Sequence, residues 1–355
     1  MIHAIYVCFY NPATIVDERI LGVLADNLIL FLPLIYIIPS HILHLVILYV
    51  LIAPKSRKHF TGSFYRIFGI QSANNILHSS FYFLCVRGRF STVFKSVLAA
   101  LPTDGFFVAF PYVMAFYTSA ALILLDFVLT FNRFSVILLK ARYKTFWHRS
   151  FKYIVLFVLI SPNILTWPMW FQDYIIAPPL KGYATYVWQA RNPNVVSWIS
   201  LSVGFAVLII VSAVLDFLMN LYVMVALIKQ QNKNQMFNQK TKSKQNEATA
   251  DKKLFAVSIC AFVGQLASFI TQVILTLVSD KVVVNRMLYF QFFVVDYNTC
   301  VPAWSLFFMS NDIRRHILGV VGVQSASSTS VVAIATTGTD KKVTAPGKVT
   351  STRTR

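Results

Sequence analysis

The chain has 355 residues, 57% hydrophobic and 13% charged, with a mean hydropathy of +0.63. Globular domains carry about 25% charged residues, so the shortfall and the long uncharged runs exclude two soluble domains and point to an integral membrane protein. The formal net charge of +19 comes from Lys and Arg lying between the apolar segments, which is a topology signal; no RNA- or DNA-binding motif accompanies it, and no nucleic-acid partner is expected.

Residues 1–27 form a short mixed segment with Asp17, Glu18 and Asp26, expected outside the membrane. Residues 1–10 have no basic n-region and no small-residue cleavage site, so the first apolar segment is read as an uncleaved insertion signal. The first predicted span is 28–52, bent by Pro33 and Pro39, which lipid-embedded bundles tolerate. The second, 63–86, carries Gln71, Asn74, Asn75 and His78 within one arc of roughly 100°. A polar stripe in lipid must face the bundle interior, either as interhelical hydrogen-bond glue or as part of a ligand or water network.

A loop over 87–105 leads to the third span, 106–131, with Pro111 near its outer end and Asp126 deeper. It ends in Asn132-Arg133-Phe134. Asp126 and Arg133 are seven apart, on one face two turns from each other. A basic loop follows, with Phe146-Trp147 inside it. The fourth span, 151–170, holds Pro162 and Pro168, and Trp167, Trp170 and Phe171 make an interfacial cluster. The outer loop 172–194 is rich in aromatic and proline residues. The fifth span, 196–228, contains Asp216 and Asn220 at i, i+4, able to bond each other or the next helix.

Residues 229–253 read as a flexible basic loop or two frayed helix extensions. The sixth span, 254–279, has Gln265, Ser268, Thr271 and Gln272 in its outer half. The seventh, 287–310, holds Asp296, Asn298, Pro302 and Trp304. A charge inside a bilayer is expensive, so Asp296 demands a partner, and Pro302 favours a kink. Ile313 and Ile317 beside Arg314 and Arg315 suggest an amphipathic helix over 311–323 on the inner leaflet. Residues 324–355 are Ser-, Thr- and Lys-rich and expected to be a disordered cytoplasmic tail.

The fold class expected is therefore all-α integral membrane: a seven-transmembrane helix bundle. Most Lys and Arg fall in the loops after spans 1, 3 and 5 and in the tail, which puts the N-terminus outside and the C-terminus inside. Four cysteines are too few for a disulfide scaffold. Cys260 and Cys300 lie in apolar segments; Cys8 and Cys85 both face outside on this topology and are a candidate disulfide.

No catalytic motif, phosphate loop or metal-ligand spacing is present, so no enzyme activity, metal or cofactor is expected. Inward polar residues, helix-interior prolines and a basic inner face suit a receptor whose two helix packings a ligand biases. The alternative is a seven-helix transporter or channel subunit using its intramembrane acids.

The Phe64-Tyr65-Arg66 start of span 2, Arg87 after it, Asn132-Arg133, Phe146-Trp147, and Asp296 with Pro302-Ala303-Trp304-Ser305-Leu306, Ser310 and Arg314 carry a resemblance. Across about residues 25–318 the chain resembles the nematode chemosensory serpentine receptors, within them the gamma-class superfamily. The resemblance implies a G-protein-coupled chemoreceptor in the plasma membrane of a sensory neuron, with an extracellular small molecule or peptide as ligand and a heterotrimeric G protein as partner. Arg133 then takes the place of the helix 3 arginine at the G-protein face, joined by Asn132, Lys252, Lys253 and Arg314. Asn132 replaces the acid usual in rhodopsin-like receptors, Val301-Pro302 departs from N-P-x-x-Y, and the loop after span 4 has no cysteine for the usual disulfide. Gln265, Ser268, Thr271, Gln272, Tyr289 and Gln291 are expected near an outer ligand pocket. Asp296, Asn298, Pro302 and Trp304 are expected to form a hinge, with Gln71, Asn75 and His78 as the nearest partners of Asp296. Asp126 and Asp216 are further network candidates.

Overall fold

Apolar sequence of helical length gives helices, and the described residues are almost wholly helical. The computed structural model describes residues 18–54, 58–88, 93–177, 186–191, 201–236, 242–278 and 280–320. The helices are α1 (Glu18–Ile52), α2 (Ser63–Tyr82), α3 (Phe94–Ala100), α4 (Phe106–Leu139), α5 (Tyr143–Trp170), α6 (Leu201–Met236), α7 (Lys242–Leu277), α8 (Lys281–Met309) and α9 (Asn311–Val320). Residues 1–17, including Cys8, and 321–355, the expected tail, lie outside the described residues. The bundle belongs to the first of two units, Met1–Ile317; the second, Leu318–Arg355, is described only as far as Val320.

Among the described residues, Phe31–Ile52, the Phe106–Trp170 stretch of α4 and α5, and Val203–Lys229 in α6 are long and apolar enough to cross a membrane, and Ile259–Leu275 in α7 is a shorter apolar helix. The polar stripe of α2 and the polar residues of α8 lower the hydropathy of those two. Polarity is inverted relative to a water-soluble protein. Ile35, Ile42, Tyr153, Ile164 and Phe217 are exposed, while Ser40, His44, Gln71, Asn75, His78, Asp126, Asp216 and Asp296 are buried. Apolar side chains outward and polar ones inward is what a lipid solvent selects.

α4 is the central post, packing against α2, α5, α6 and α7, while α8 packs against α7, α1 and α2. At the end of the bundle that the charge pattern predicts to be the inner one, and called so from here, Ile47, Phe64, Phe68, Leu125, Val128, Trp147, Ala303, Leu306 and Ile313 form one apolar core. At the opposite end, called the outer one on the same expectation, Cys85, Leu98, Val113, Met169, Tyr174 and Trp188 form another.

Several boundaries differ from the sequence reading. α4 continues to Leu139 because Ser135–Leu139 stays apolar and Trp147 Nε1 donates to Ser135 Oγ (2.8 Å). The basic loop thereby shrinks to a 3₁₀ turn, Lys140–Arg142, and α5 begins at Tyr143. The loop 87–105 contains α3. Helix continues into the polar segment after Ile228, as far as Met236, and resumes at Lys242. The outer loop 172–194 contains an antiparallel hairpin, β1 (Tyr174–Ala177) with β2 (Val187–Ala190), in the register Tyr174↔Ala190 and Ile176↔Trp188. Its Trp188 is buried in the outer core.

Four helix prolines share one solution to the gap they make in the backbone ladder. A proline has no N–H, and its ring pushes the preceding turn open, so freed carbonyls need other donors. The carbonyl three residues before each takes a side chain. Tyr36 O, before Pro39, accepts from Ser40 Oγ (2.6 Å). Val108 O, before Pro111, accepts from Trp188 Nε1 (3.2 Å). Leu159 O, before Pro162, accepts from Tyr117 OH (2.6 Å). Thr299 O, before Pro302, accepts from Asn75 Nδ2 (3.2 Å) and faces His44 Nε2 (2.8 Å).

Candidate functional site

The polar side chains form three layers down the bundle axis. The outermost is a buried ion pair. α2 ends in a π-helical turn, Phe83–Arg87, whose extra residue per turn shifts the helical register, a distortion that recurs at functional sites. Arg87 is 1% exposed, and its Nη2 donates to Asp296 Oδ2 at 2.8 Å and to Phe292 O at 3.1 Å. Its guanidinium also lies over the Phe292 ring, 5.3 Å from the centroid. Tyr36 OH donates to the same Asp296 oxygen. Three elements, α1, the end of α2, and α8, are thus tied at one carboxylate. Tyr36, Ser40 and His44 lie at i, i+4, i+8 on α1 and all reach α8 or its partners: Ser40 Oγ accepts from Trp304 Nε1 at 2.8 Å, and His44 meets Thr299 O.

Asp296 therefore does not use the partners expected from α2. Gln71 Nε2 donates to Asp126 instead. Asn75 goes to the Thr299 carbonyl, and His78 Nδ1 faces Thr118 Oγ1 at 3.1 Å. The reason is position: the stripe points at α4 and at the Pro302 kink, while Asp296 lies nearer the outer end, level with Arg87. Sequence reasoning placed Arg87 in the loop and missed Tyr36, Ser40 and His44. Their four-residue spacing in an otherwise apolar helix was the available signal.

The middle layer gathers Gln71, Asp126, Asp216, Gln265, Ser268 and Asn298. Asp126, Gln265, Ser268 and Asn298, with Leu122, Ile123 and Ile209, line a cavity of about 20 Å³, room for one water-sized body. Asn298 Nδ2 donates to Ser268 Oγ (2.8 Å), which donates to Gly264 O (3.1 Å). Gly264 is where α7 and α8 touch: a Cβ there meets Asn298 Oδ1 and Tyr297 Cδ1. Asp216 is placed beside Thr130 and Gln265, not bonded to Asn220, whose Nδ2 has no hydrogen-bond partner among the described residues.

Of the six residues expected at an outer pocket, Gln265 and Ser268 lie in this middle layer. Thr271 is buried, its hydroxyl donating to Ala267 O at 2.7 Å. Gln272, Tyr289 and Gln291 are half-buried, and the Tyr289 ring meets Phe292 with centroids 6.2 Å apart. Phe292 in turn carries Arg87, so Tyr289 borders the ion pair.

The inner layer centres on Asn132. Its Nδ2 donates to Ser63 Oγ (2.8 Å) and to Tyr143 OH (3.1 Å), while Ser63 and Tyr143 hydroxyls are 2.6 Å apart. This joins α2, α4 and α5. Arg133 is buried with its guanidinium 3.8 Å from the Phe64 ring centroid. Arg314 Nη2 donates to Asn311 Oδ1 within its own helix (2.8 Å). The side chains of Lys252 and Lys253 lie outside the described residues. Cys85 is buried in the outer core, and its candidate partner Cys8 lies outside the described residues.

The family model for the Srg family chemoreceptors matches residues 30–317. Serpentine receptor class gamma-11 of Caenorhabditis elegans is 24% identical over 188 residues, 50% of this chain and 55% of that protein. Serpentine receptor class gamma-2 of the same organism is 22% identical over 201 residues, 55% of this chain and 60% of that protein. The chain spans between half and two thirds of the length of these relatives.

Proposed function

The chain belongs to the Srg family of chemoreceptors, and from that premise we propose that it converts an extracellular chemical signal into activation of a heterotrimeric G protein. Family and apolar helices together make it a multi-pass membrane protein. In this reading α1, α2, α4, α5, α6, α7 and α8 are the seven spans, 1–27 lies outside, α9 rests on the inner leaflet and the C-terminus is cytoplasmic. The plasma membrane of a sensory neuron is its place.

One observation carries the reading: the Arg87–Asp296–Tyr36 cluster ties the end of α2 to the middle of α1 and of α8, one to two turns from the Pro302 kink. A small molecule or peptide that enters beside Tyr289, Gln272 and Gln291 and competes for Arg87 or Asp296 changes the relative energy of two α8 positions. Only such differential affinity shifts a conformational equilibrium. The kink then passes the displacement to the inner layer, where Asn132, Arg133, Lys252, Lys253 and Arg314 form the proposed G-protein face.

The test is reconstitution in lipid vesicles with purified G protein and a panel of odorants and peptides. Ligand-dependent nucleotide exchange is the expected result. Ligand-dependent solute or ion flux with no exchange overturns it in favour of a transporter or channel.

A further inference from the structure

The segment between α2 and α4 is expected outside the spans, yet it carries an apolar stripe. α3 has seven residues; at 1.5 Å per residue it is about 10 Å long, a third of a hydrocarbon core of about 30 Å, so it cannot cross a bilayer. Its apolar residues fall into two sets. Phe94 and Leu98 turn to the protein: Leu98 is buried in the outer core with Cys85, and the Phe94 ring meets Phe83 with centroids 6.0 Å apart. Val93, Val97 and Leu101 recur every four residues within an arc of about 80°, and all three are exposed. Lys95 and Ala99 are exposed on the roughly opposite side. α3 is thus amphipathic, with an apolar arc wider than the part that packs on the protein.

The stripe continues past the end of α3. Gly105, at φ +95°, turns the chain into α4, and the two residues after it, Phe106 and Phe107, are 65% and 78% exposed. From there rings lead across to α5: Phe106 to Phe110 at 5.4 Å between centroids, and Phe110 to Trp170 at 6.3 Å. α5 goes on in the exposed Ile164 and Ile160, part of the apolar surface turned to lipid. The polar groups of the corner go to the hairpin instead. Thr103 O accepts from Ile176 N at 2.9 Å, and Asp104 pairs with Arg191 at 3.0 Å. The corner therefore joins the hairpin through polar groups and the lipid-facing surface of α5 through rings.

We propose that Val97, Leu101, Phe106 and Phe107 dock into the lipid leaflet at the outer end, with α3 lying in the plane of the bilayer as an anchor for the π turn that carries Arg87. The occupant is phospholipid, because the patch runs without a break into a surface that already faces acyl chains. Charge agrees: Lys95, on the far side of α3, is placed toward the headgroup phosphates while the stripe enters the acyl boundary. Burying the stripe removes its apolar area from water. The hold on α3 is also a hold on the turn Phe83–Arg87, since Leu98 shares a core with Cys85 and Phe94 meets Phe83.

The test uses the full chain in phospholipid nanodiscs with no ligand or G protein, so its outcome is separable from that of the signalling reading. In a Cys8→Ser, Cys260→Ser background, which leaves the buried Cys85 and Cys300, a nitroxide is attached in turn at Val97→Cys, Leu101→Cys and Phe107→Cys. Ile164→Cys is the acyl-chain reference, and Lys95→Cys and Ala99→Cys are the headgroup-side references. The ratio of oxygen to nickel-chelate relaxation at 97, 101 and 107 is expected to match that at 164 and to exceed that at 95 and 99 at least about threefold. A ratio at 97 and 101 equal to that at 95 and 99 puts the stripe in water and overturns the proposal. Protection from both reagents overturns it too, since a second copy of the chain then covers the stripe. Anchoring is read by hydrogen exchange at the Phe83–Arg87 amides. Val97→Asp is expected to speed it about fivefold or more, while Ala99→Asp, the same charge on the opposite side of α3, leaves it as in the native chain. Exchange unchanged in Val97→Asp, or raised equally in Ala99→Asp, overturns the anchor.

Discussion

Arg87 and Asp296 stand 209 positions apart in the chain and 2.8 Å apart in the fold, both buried. Removing one partner of such a pair leaves a stranded charge. Asp296→Asn and Arg87→Gln are each expected to destabilise the bundle by about 3–5 kcal/mol. Replacing both by apolar residues of similar size, Arg87→Met with Asp296→Leu, is expected to recover much of the loss. Thermal unfolding in detergent with the double-mutant comparison reads this directly, and a double variant no better than the worse single one contradicts it.

The inner layer makes a separate prediction. The Arg133 guanidinium lies over the Phe64 ring, and its chain neighbour at 132 is Asn instead of an acid. Arg133→Ala is expected to lower G-protein nucleotide exchange at least about tenfold, with ligand affinity kept within a few-fold. The same change removes a cation–π contact and costs about 0.5–2 kcal/mol of stability. Exchange unchanged in Arg133→Ala removes it from the G-protein face.

Pro302 and Asn75 are expected to be energetically coupled. The kink frees the Thr299 carbonyl, and Asn75 Nδ2 occupies it at 3.2 Å. With Pro302 present, Asn75→Leu loses that bond and costs about 1 kcal/mol or more. In a Pro302→Ala background the backbone amides return to the ladder and Asn75 has less to satisfy, so the same change is expected to cost clearly less. A double-mutant cycle by thermal unfolding measures the difference, and strict additivity rules the coupling out.

Periodicity exposed what lies on a regular helix and missed what depends on a break in one. Gln71, Asn74, Asn75 and His78 were legible as a buried stripe because α2 is regular there, and all four are buried. Asp296 was legible as an intramembrane acid. Its partner was not, because the π turn at Phe83–Arg87 extends the helix past its expected end at Val86. Tyr36, Ser40 and His44 were overlooked because one polar group per turn hardly alters the hydropathy of a 35-residue apolar helix. The hairpin inside 172–194 pairs short strands across a loop, and two four-residue runs give no periodic signal of their own. That Gln265 of α7 lies beside both Asp126 of α4 and Asp216 of α6 is a tertiary fact: the two acids are 90 positions apart, and only the packing of the three helices brings them to one amide.

Gly264 gives the last test, because it measures how close α7 and α8 must be. A Cβ at this position lies 2.9 Å from Tyr297 Cδ1 and against Asn298 Oδ1. Neither neighbour can yield freely: Tyr297 OH donates to Cys260 O at 3.2 Å, and Asn298 Nδ2 holds Ser268. Gly204 offers a matched control, since its Cβ meets only Leu165 Cδ2, the end of a flexible side chain. In an α-helix Gly→Ala is favourable by about 0.8–1.0 kcal/mol when space allows, and overpacking costs about 1–3 kcal/mol. Gly204→Ala is therefore expected to be neutral or stabilising and Gly264→Ala destabilising, by thermal unfolding in the same lipid. Gly264→Ser is expected to be worse than Ala, since it adds bulk at the same contact. A Gly264→Ala variant as stable as the native chain means that α7 and α8 can separate without cost, and the close α7–α8 approach that positions Asn298 against Ser268 then has no energetic basis.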